Sequence, residues 1–166
     1  MKEYKLNDIK SFVLLKYQIL TSNASTWILC KTYPLEVRKN WAWRCAEDVE
    51  HLARAKEAKE VYRVARLYRD GKATGKELTT VHTACIASIS TANHAVYGSI
   101  YAADYAANAA NAAINAVYAV RYAVDATTYA TTEYNDVYAT KWKLYISWLI
   151  EELCKYESTI QCITFT

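Results

Sequence analysis

The sequence predicts an all-α fold: a single-domain bundle of about five or six helices around a long alanine-rich central helix. Three observations lead there. The 166 residues include only three Gly and one Pro, too few turn and bulge residues for a sandwich or barrel. The hydrophobic fraction of 53% is enough for one domain of this length to bury a core without disulfide or metal staples. Third, residues 97–136 form an almost uncharged Ala-rich tract crossed by one polar seam, Tyr97, Tyr101, Asp104, Asn108, Asn111, Asn115, Tyr118, Tyr122, Asp125, Tyr129, Thr132 and Asp136. The seam advances by alternating steps of four and three, close to the helical period, so one side of a helix is hydrogen-bonding while the rest is mostly Ala, Val and Ile.

Each element follows from local signals. Asn7 is placed to cap a first helix with Ile9, Phe12, Val13, Tyr17 and Leu20 on one face, ended by Thr21 to Ser25. A short apolar piece, Thr26 to Tyr33, stops at Pro34, and a second helix starts at Leu35 with Trp41, Cys45, Val49 and Leu52 directed inward. Between Arg54 and Glu60 the apolar stripe lapses, which predicts a solvated turn of helix or a brief break before Val61, Val64, Ala65 and Tyr68 resume a face. Asp70-Gly71-Lys72 is a stop. Thr74 and Glu77 have capping-box spacing and launch the next run from Leu78.

From Leu78 to about Tyr138 the sequence reads as one helix, or as two with a bend at Gly98. As one straight helix, residues 97–136 alone would span about 60 Å at 1.5 Å per residue, so curvature, a break or oligomerisation is expected. A last helix, from about Asp136 to Tyr156, places Trp142, Tyr145, Ile146, Leu149, Ile150 and Leu153 on one face and leaves Lys141, Lys143, Glu151 and Glu152 to solvent. The expected organisation is an N-terminal helical segment 1–40, a helical core 41–157 and a tail 158–166.

Composition narrows the function classes. The net charge of +3 comes from 20 basic and 17 acidic residues that are largely interspersed, so no single-sign field dominates and nucleic-acid binding is not expected. Lys10 and Lys16 interrupt the N-terminal apolar stretch, against a signal peptide. Asp104, Arg121 and Asp125 in the central tract make a membrane span costly. The five cysteines are widely spaced and odd in number, a pattern of reduced thiols in a cytoplasmic protein.

Catalytic signatures are lacking. The glycines, at 71, 75 and 98, form no phosphate loop. His82 and Cys85 share a helical face and His94 lies further along, but these spacings match no familiar zinc pattern, and neither metal nor cofactor is expected. The run Glu47, Asp48, Glu50 and His51 offers acid and base groups but such a run is more often simply a solvated face. The chain is therefore read as a non-enzymatic binding protein.

Two surfaces are candidates. The seam, taken as Tyr97, Tyr101, Asp104, Asn108, Asn111, Asn115, Tyr118, Arg121, Tyr122 and Asp125, combines tyrosine, a large amphipathic contact residue of low entropy cost, with amides that donate and accept. Such a groove suits a partner helix, or a nucleotide with Arg121 on phosphate, and facing asparagines can instead fix the register of a homo-oligomer. The alternative is a basic patch of Lys56, Lys59, Arg63 and Arg66, interleaved with Glu57 and Glu60.

The segment RCAEDVEHL at 44–52, the helix ending ARLYRDGKAT at 65–74 and the Ala/Tyr/Asp/Asn tract after it resemble a loose group of alanine-rich helical proteins of bacteriophages and bacteria, often labelled putative immunity proteins. The resemblance spans roughly residues 40 to 155 and brings no catalytic residues with it. It implies a small viral or bacterial protein that works by binding, such as a phage-encoded, anti-CRISPR-type inhibitor of a host defence protein. A sponge for a cyclic nucleotide or ADP-ribose-type signal and a structural homo-oligomer are the alternative expectations.

Overall fold

The computed structural model describes residues 34–88, 93–108, 113–131 and 134–164. The expected helix after Asn7 and the apolar piece ending at Tyr33 lie outside them. Among the described residues the chain forms six α-helices and no strand: α1 Leu35–Asp48, α2 Lys56–Arg69, α3 Gly75–Ser88, α4 His94–Ala107, α5 Ala113–Tyr129 and α6 Tyr134–Thr164. A 3-10 turn, Glu50–Leu52, joins α1 to α2. No helix among the described residues is long and apolar enough to cross a membrane.

Boundaries follow the local chemistry. Pro34 precedes α1, where its missing N–H costs nothing, and its carbonyl accepts the Arg38 N–H at 3.2 Å. Helix α2 ends in a Schellman turn: Gly71, at φ 70°, donates its N–H to Tyr68 O at 3.0 Å and Lys72 donates to Leu67 O at 2.7 Å. The capping box forms as read, Thr74 N–H donating to Glu77 Oε2 at 2.7 Å and Glu77 N–H to Thr74 Oγ1 at 3.2 Å. Asn93 caps α4.

The long central helix does not form. The tract folds back on itself as an antiparallel hairpin of α4 and α5, fixed by the ring pairs Tyr101 with Tyr122 and Tyr105 with Tyr118 and by His94 against Tyr129. Asparagines flank the reversal: Asn108 Nδ2 donates to Asp104 O at 2.9 Å, and Asn115 Nδ2 reaches back to Asn108 O at 2.8 Å. Asn108 O lies at the end of α4, where helical partners run out.

Gly98 is not a bend either. It lies inside α4, and a Cβ there would meet the Ala126 backbone nitrogen at 2.9 Å, so its absent side chain lets the two helices approach closely. The separation expected near Gly98 falls earlier, between Ser88 and Asn93.

Helix α1 packs across both arms of the hairpin, α2 lies on α4 with α3 beside it, and α6 packs on α5 and α1. Trp41, Cys45 and Val49, and Trp142, Tyr145, Ile146, Leu149 and Leu153, are buried as their spacing predicts. Polar side chains close the core. Tyr62 Oη lies 2.9 Å from Ala46 O and 2.9 Å from Ser99 Oγ, and Ser99 donates to Val49 O at 2.9 Å, so α2 and α4 satisfy carbonyls at the open end of α1. Trp41 Nε1 donates to Tyr145 O at 2.7 Å.

Where the apolar stripe lapses the chain forms the solvated turn of helix, Lys56, Glu57 and Lys59 being exposed at the start of α2, after an α1–α2 interruption at residues 49–55. Two further expectations change. Lys141 is half-buried against Asp48 and Glu152 is buried beside Arg44 and Lys155, so neither is left to solvent. Helix α6 runs to Thr164, through most of what the sequence suggests as a tail.

Candidate functional site

Folding the tract in two lays its polar seam along one side of the hairpin as two facing rows, with the Ala side turned to α1. On α4 the row is Tyr97, Tyr101, Asp104 and Asn108; on α5 it is Asn115, Tyr118, Tyr122 and Asp125. Asn111 lies outside the described residues.

The tyrosines form a continuous array. Tyr101 stacks on Tyr122 at 5.0 Å between centroids, Tyr105 lies parallel to Tyr122 at 5.4 Å and 4°, and Tyr105 also meets Tyr118 at 5.1 Å. Such offset contacts suit the ring quadrupoles. Tyr97 extends the array, its hydroxyl 3.1 Å from that of Tyr101. That bond, together with burial, holds the Tyr101 phenol above its ordinary range, and burial does the same for Tyr105, so both remain neutral donors. The hydroxyls of Tyr105, Tyr118 and Tyr122 make no hydrogen bond with the described residues. All five rings are half-buried, anchored yet reachable.

Two carboxylates share the rows. Asp104, three residues beyond Tyr101 on α4, is half-buried, and desolvation raises its pKa against the smaller opposing pull of His82. Asp125, three residues beyond Tyr122 on α5, is raised by the same cause, with Arg121 Nε 3.8 Å from its Oδ2 acting in opposition. The outer end carries Tyr129, 51% exposed, tilted against His94 at 5.0 Å.

Sequence reasoning missed Tyr105 because it falls one residue off the four-three rhythm, yet only Tyr105 touches Tyr101, Tyr118 and Tyr122 together. It also missed His82, which meets the Tyr101 ring edge-on at 4.8 Å from α3, and whose Nε2 is buried without a hydrogen-bond partner among the described residues. No single-helix pattern reports a contact between two helices.

The other candidates are largely spent on internal pairs. In the basic patch, Arg66 pairs with Glu50 through both its terminal nitrogens and Arg63 grips Glu60 at 2.6 and 2.8 Å, leaving Lys56 and Lys59 exposed. The acidic run is divided too: Glu47 accepts Trp43 Nε1 at 2.7 Å, while Asp48 accepts Lys141 Nζ at 2.7 Å and Tyr145 Oη at 2.8 Å. A cleft of about 530 Å³ beside Trp43 is lined by charges that are paired, Arg44 with Glu151 at 2.6 Å and Arg69 with Asp70 at 2.8 Å among them. Cys45 and Cys85 are buried and Cys154 is half-buried, with no disulfide among the described residues, and no group of three or more metal-ligating side chains occurs among them.

No family model matches the chain, and no curated protein or solved structure does.

Proposed function

We propose that this chain works by stoichiometric protein binding through the tyrosine face of the α4–α5 hairpin, as a phage-encoded inhibitor of a bacterial defence protein. The observation that carries the binding reading is the array itself: five half-buried tyrosines preordered by ring contacts, three of them with hydroxyls that make no hydrogen bond to the described residues. Amphipathic rings held still before contact lose little entropy on binding, which is why tyrosine dominates recognition surfaces. The inhibitor setting rests on the resemblance of residues 44–52 and 65–74. Ring pairs at 5.0 and 5.4 Å leave no slot for a planar base between them, which favours a protein partner over a nucleotide.

The test uses the tagged full chain as bait in lysates of bacteria carrying defined defence systems, alongside phage plating on the same strains. One stoichiometric defence protein, with restored plaques, is the expected result. The triple variant Tyr105→Ala, Tyr118→Ala, Tyr122→Ala should keep its helical circular dichroism and lose the partner. A folded triple variant that still binds moves the site away from this face. Light scattering that shows a tight self-assembly, abolished by the same triple variant, replaces the reading with a homo-oligomer.

A further inference from the structure

Helix α2 opens on cations. Arg54, Lys56, Lys59 and Arg63 are exposed and, with Glu60, line a shallow surface concavity of about 410 Å³. Lys56, Lys59 and Arg63 stand at i, i+3 and i+7, one stripe of the helix, and Arg54 extends the stripe from just before it. The membership differs from the basic patch that the sequence suggests: Arg66 leaves it, paired to Glu50, and Arg54 takes its place. The interleaved acids do not cancel the patch. Arg63 holds Glu60 through two hydrogen bonds, and Glu57 is not among the lining residues.

Arg54, Lys56 and Lys59 remain as a surplus of positive charge on one small shelf. That surplus is local. Residues 1–33 hold five of the 20 basic residues, Lys2, Lys5, Lys10, Lys16 and Lys31, and two of the 17 acidic ones, Glu3 and Asp8. They bring no acidic excess to neutralise the shelf, and the remaining 15 basic and 15 acidic residues balance. The fold gains nothing from the arrangement. Lys56 and Lys59 occupy the first turn of α2, where the helix dipole disfavours a cation, and as like charges three residues apart they repel.

We propose that this shelf is a second interaction surface, separate from the tyrosine face, and that it receives an acidic protein segment. From Lys56 to Arg63 it runs about 10 Å along the helix, too short to gather the many phosphate contacts on which nucleic-acid affinity rests. Its lining includes no aromatic ring on which a base could stack. Glu60 decides further between the two polyanions. Carboxylates on separate side chains can sit over Arg54, Lys56 and Lys59 and be left out over Glu60, which a uniform phosphate chain cannot do. Exposed charges of this kind act chiefly on encounter, so the attraction is fast to form and sensitive to salt.

Fluorescence anisotropy of labelled octa-glutamate, octa-lysine and octathymidylate, each titrated with the full chain, tests this. Octa-glutamate should bind, more weakly as salt rises from about 0.05 M to about 0.3 M; octathymidylate should bind less tightly and octa-lysine not at all. The triple variant Arg54→Gln, Lys56→Gln, Lys59→Gln should keep its helical circular dichroism and lose about tenfold or more in octa-glutamate affinity. The variant Lys72→Gln, Lys76→Gln, Lys143→Gln removes the same charge from other exposed positions and should stay within about twofold of the parent. The variant Tyr105→Ala, Tyr118→Ala, Tyr122→Ala should bind octa-glutamate like the parent, which keeps this proposal separable from the tyrosine face. Equal losses in the two charge variants, or an unaffected shelf variant, make the attraction a bulk one and overturn the proposal. Tighter binding of octathymidylate overturns it in favour of a nucleic acid, and loss of octa-glutamate in the tyrosine variant moves the acidic segment off the shelf.

Discussion

Two sets of tyrosines share this small fold and are used in opposite ways. Tyr62 and Tyr145 are fully buried, and their hydroxyls are consumed inside the protein, one on the carbonyl end of α1 and the other on Asp48. Tyr101, Tyr105, Tyr118 and Tyr122 are only half-buried, packed largely on one another with His82 against Tyr101 and the core beneath Tyr105 and Tyr122, and direct no more than one hydroxyl bond into the fold. The difference teaches that phenol position, and not tyrosine content, separates structure from recognition here. Where a neighbouring helix offers an acceptor, the tyrosine is a strut. Where none does, it is surface.

The largest test of this contrast is truncation. Tyr145→Ala should cost about 3–5 kcal/mol, because it opens a cavity at a fully buried aromatic position and also leaves Lys141 as the remaining partner of Asp48. Tyr118→Ala should cost only about 0.5–1.5 kcal/mol, the scale of a lost ring contact. Urea denaturation of both variants measures the gap. Equal losses would make the array part of the core and end its claim as a docking face.

The second test strikes the back of the hairpin, which sets the spacing of the array. At Gly98 a methyl group meets α5 backbone at 2.9 to 3.0 Å, and backbone cannot step aside as a side chain can. Overpacking of this kind costs about 1–3 kcal/mol, partly offset by the roughly 0.8–1 kcal/mol that Ala gains over Gly within a helix. Gly98→Ala should therefore lower the melting temperature and weaken the tyrosine near-ultraviolet circular dichroism as the arms separate. Gly75→Ala, where the new methyl meets only Tyr68 ring atoms at 3.7 Å or more, should be close to neutral. A Gly98→Ala protein with unchanged melting would show that the arms are not held together at this point.

How much of this was legible beforehand depends on range. Signals that act within one turn came through: Pro34 before α1, Thr74 with Glu77 before α3, Gly71 after α2, and the inward faces of α1 and α6. The hairpin did not, because alanine is the best helix former and nothing in residues 97–136 breaks a helix outright. On either side of the turn Asn108 and Asn115 bond to carbonyls at the end of α4, and the same residues read as seam members when the tract is drawn as one rod. Gly98 was misplaced for a related reason: its contact, Ala126, is 28 positions away and visible only once the tract has folded back. The candidate residues were largely found, since a polar stripe survives folding as two facing rows, but their mutual geometry was not.

The smallest expected effect is the most discriminating, and it concerns the acid edges. Asp48 and Asp104 are both half-buried carboxylates, but Asp48 holds a lysine and a phenol within 2.8 Å, whereas Asp104 has only a marginal 3.5 Å contact from Asn108 Nδ2. Burial raises the pKa of Asp104 above 3.8 in the folded state, so the native protein binds a proton more readily than the unfolded chain does. Stability therefore falls as pH rises from 3.8 through the raised value, and the full penalty is present above it. Asp104→Asn removes that titration while keeping shape, and it should raise the melting temperature slightly at pH 7, the advantage shrinking as pH is lowered toward 3.8. Asp48→Asn should do the reverse at pH 7, since it discards half of an ion pair. An Asp104→Asn protein less stable than the parent at pH 7 would place Asp104 with Asp48 among the struts. A stabilised one identifies a charge held at the fold's expense, as expected of a residue kept for binding and not for stability.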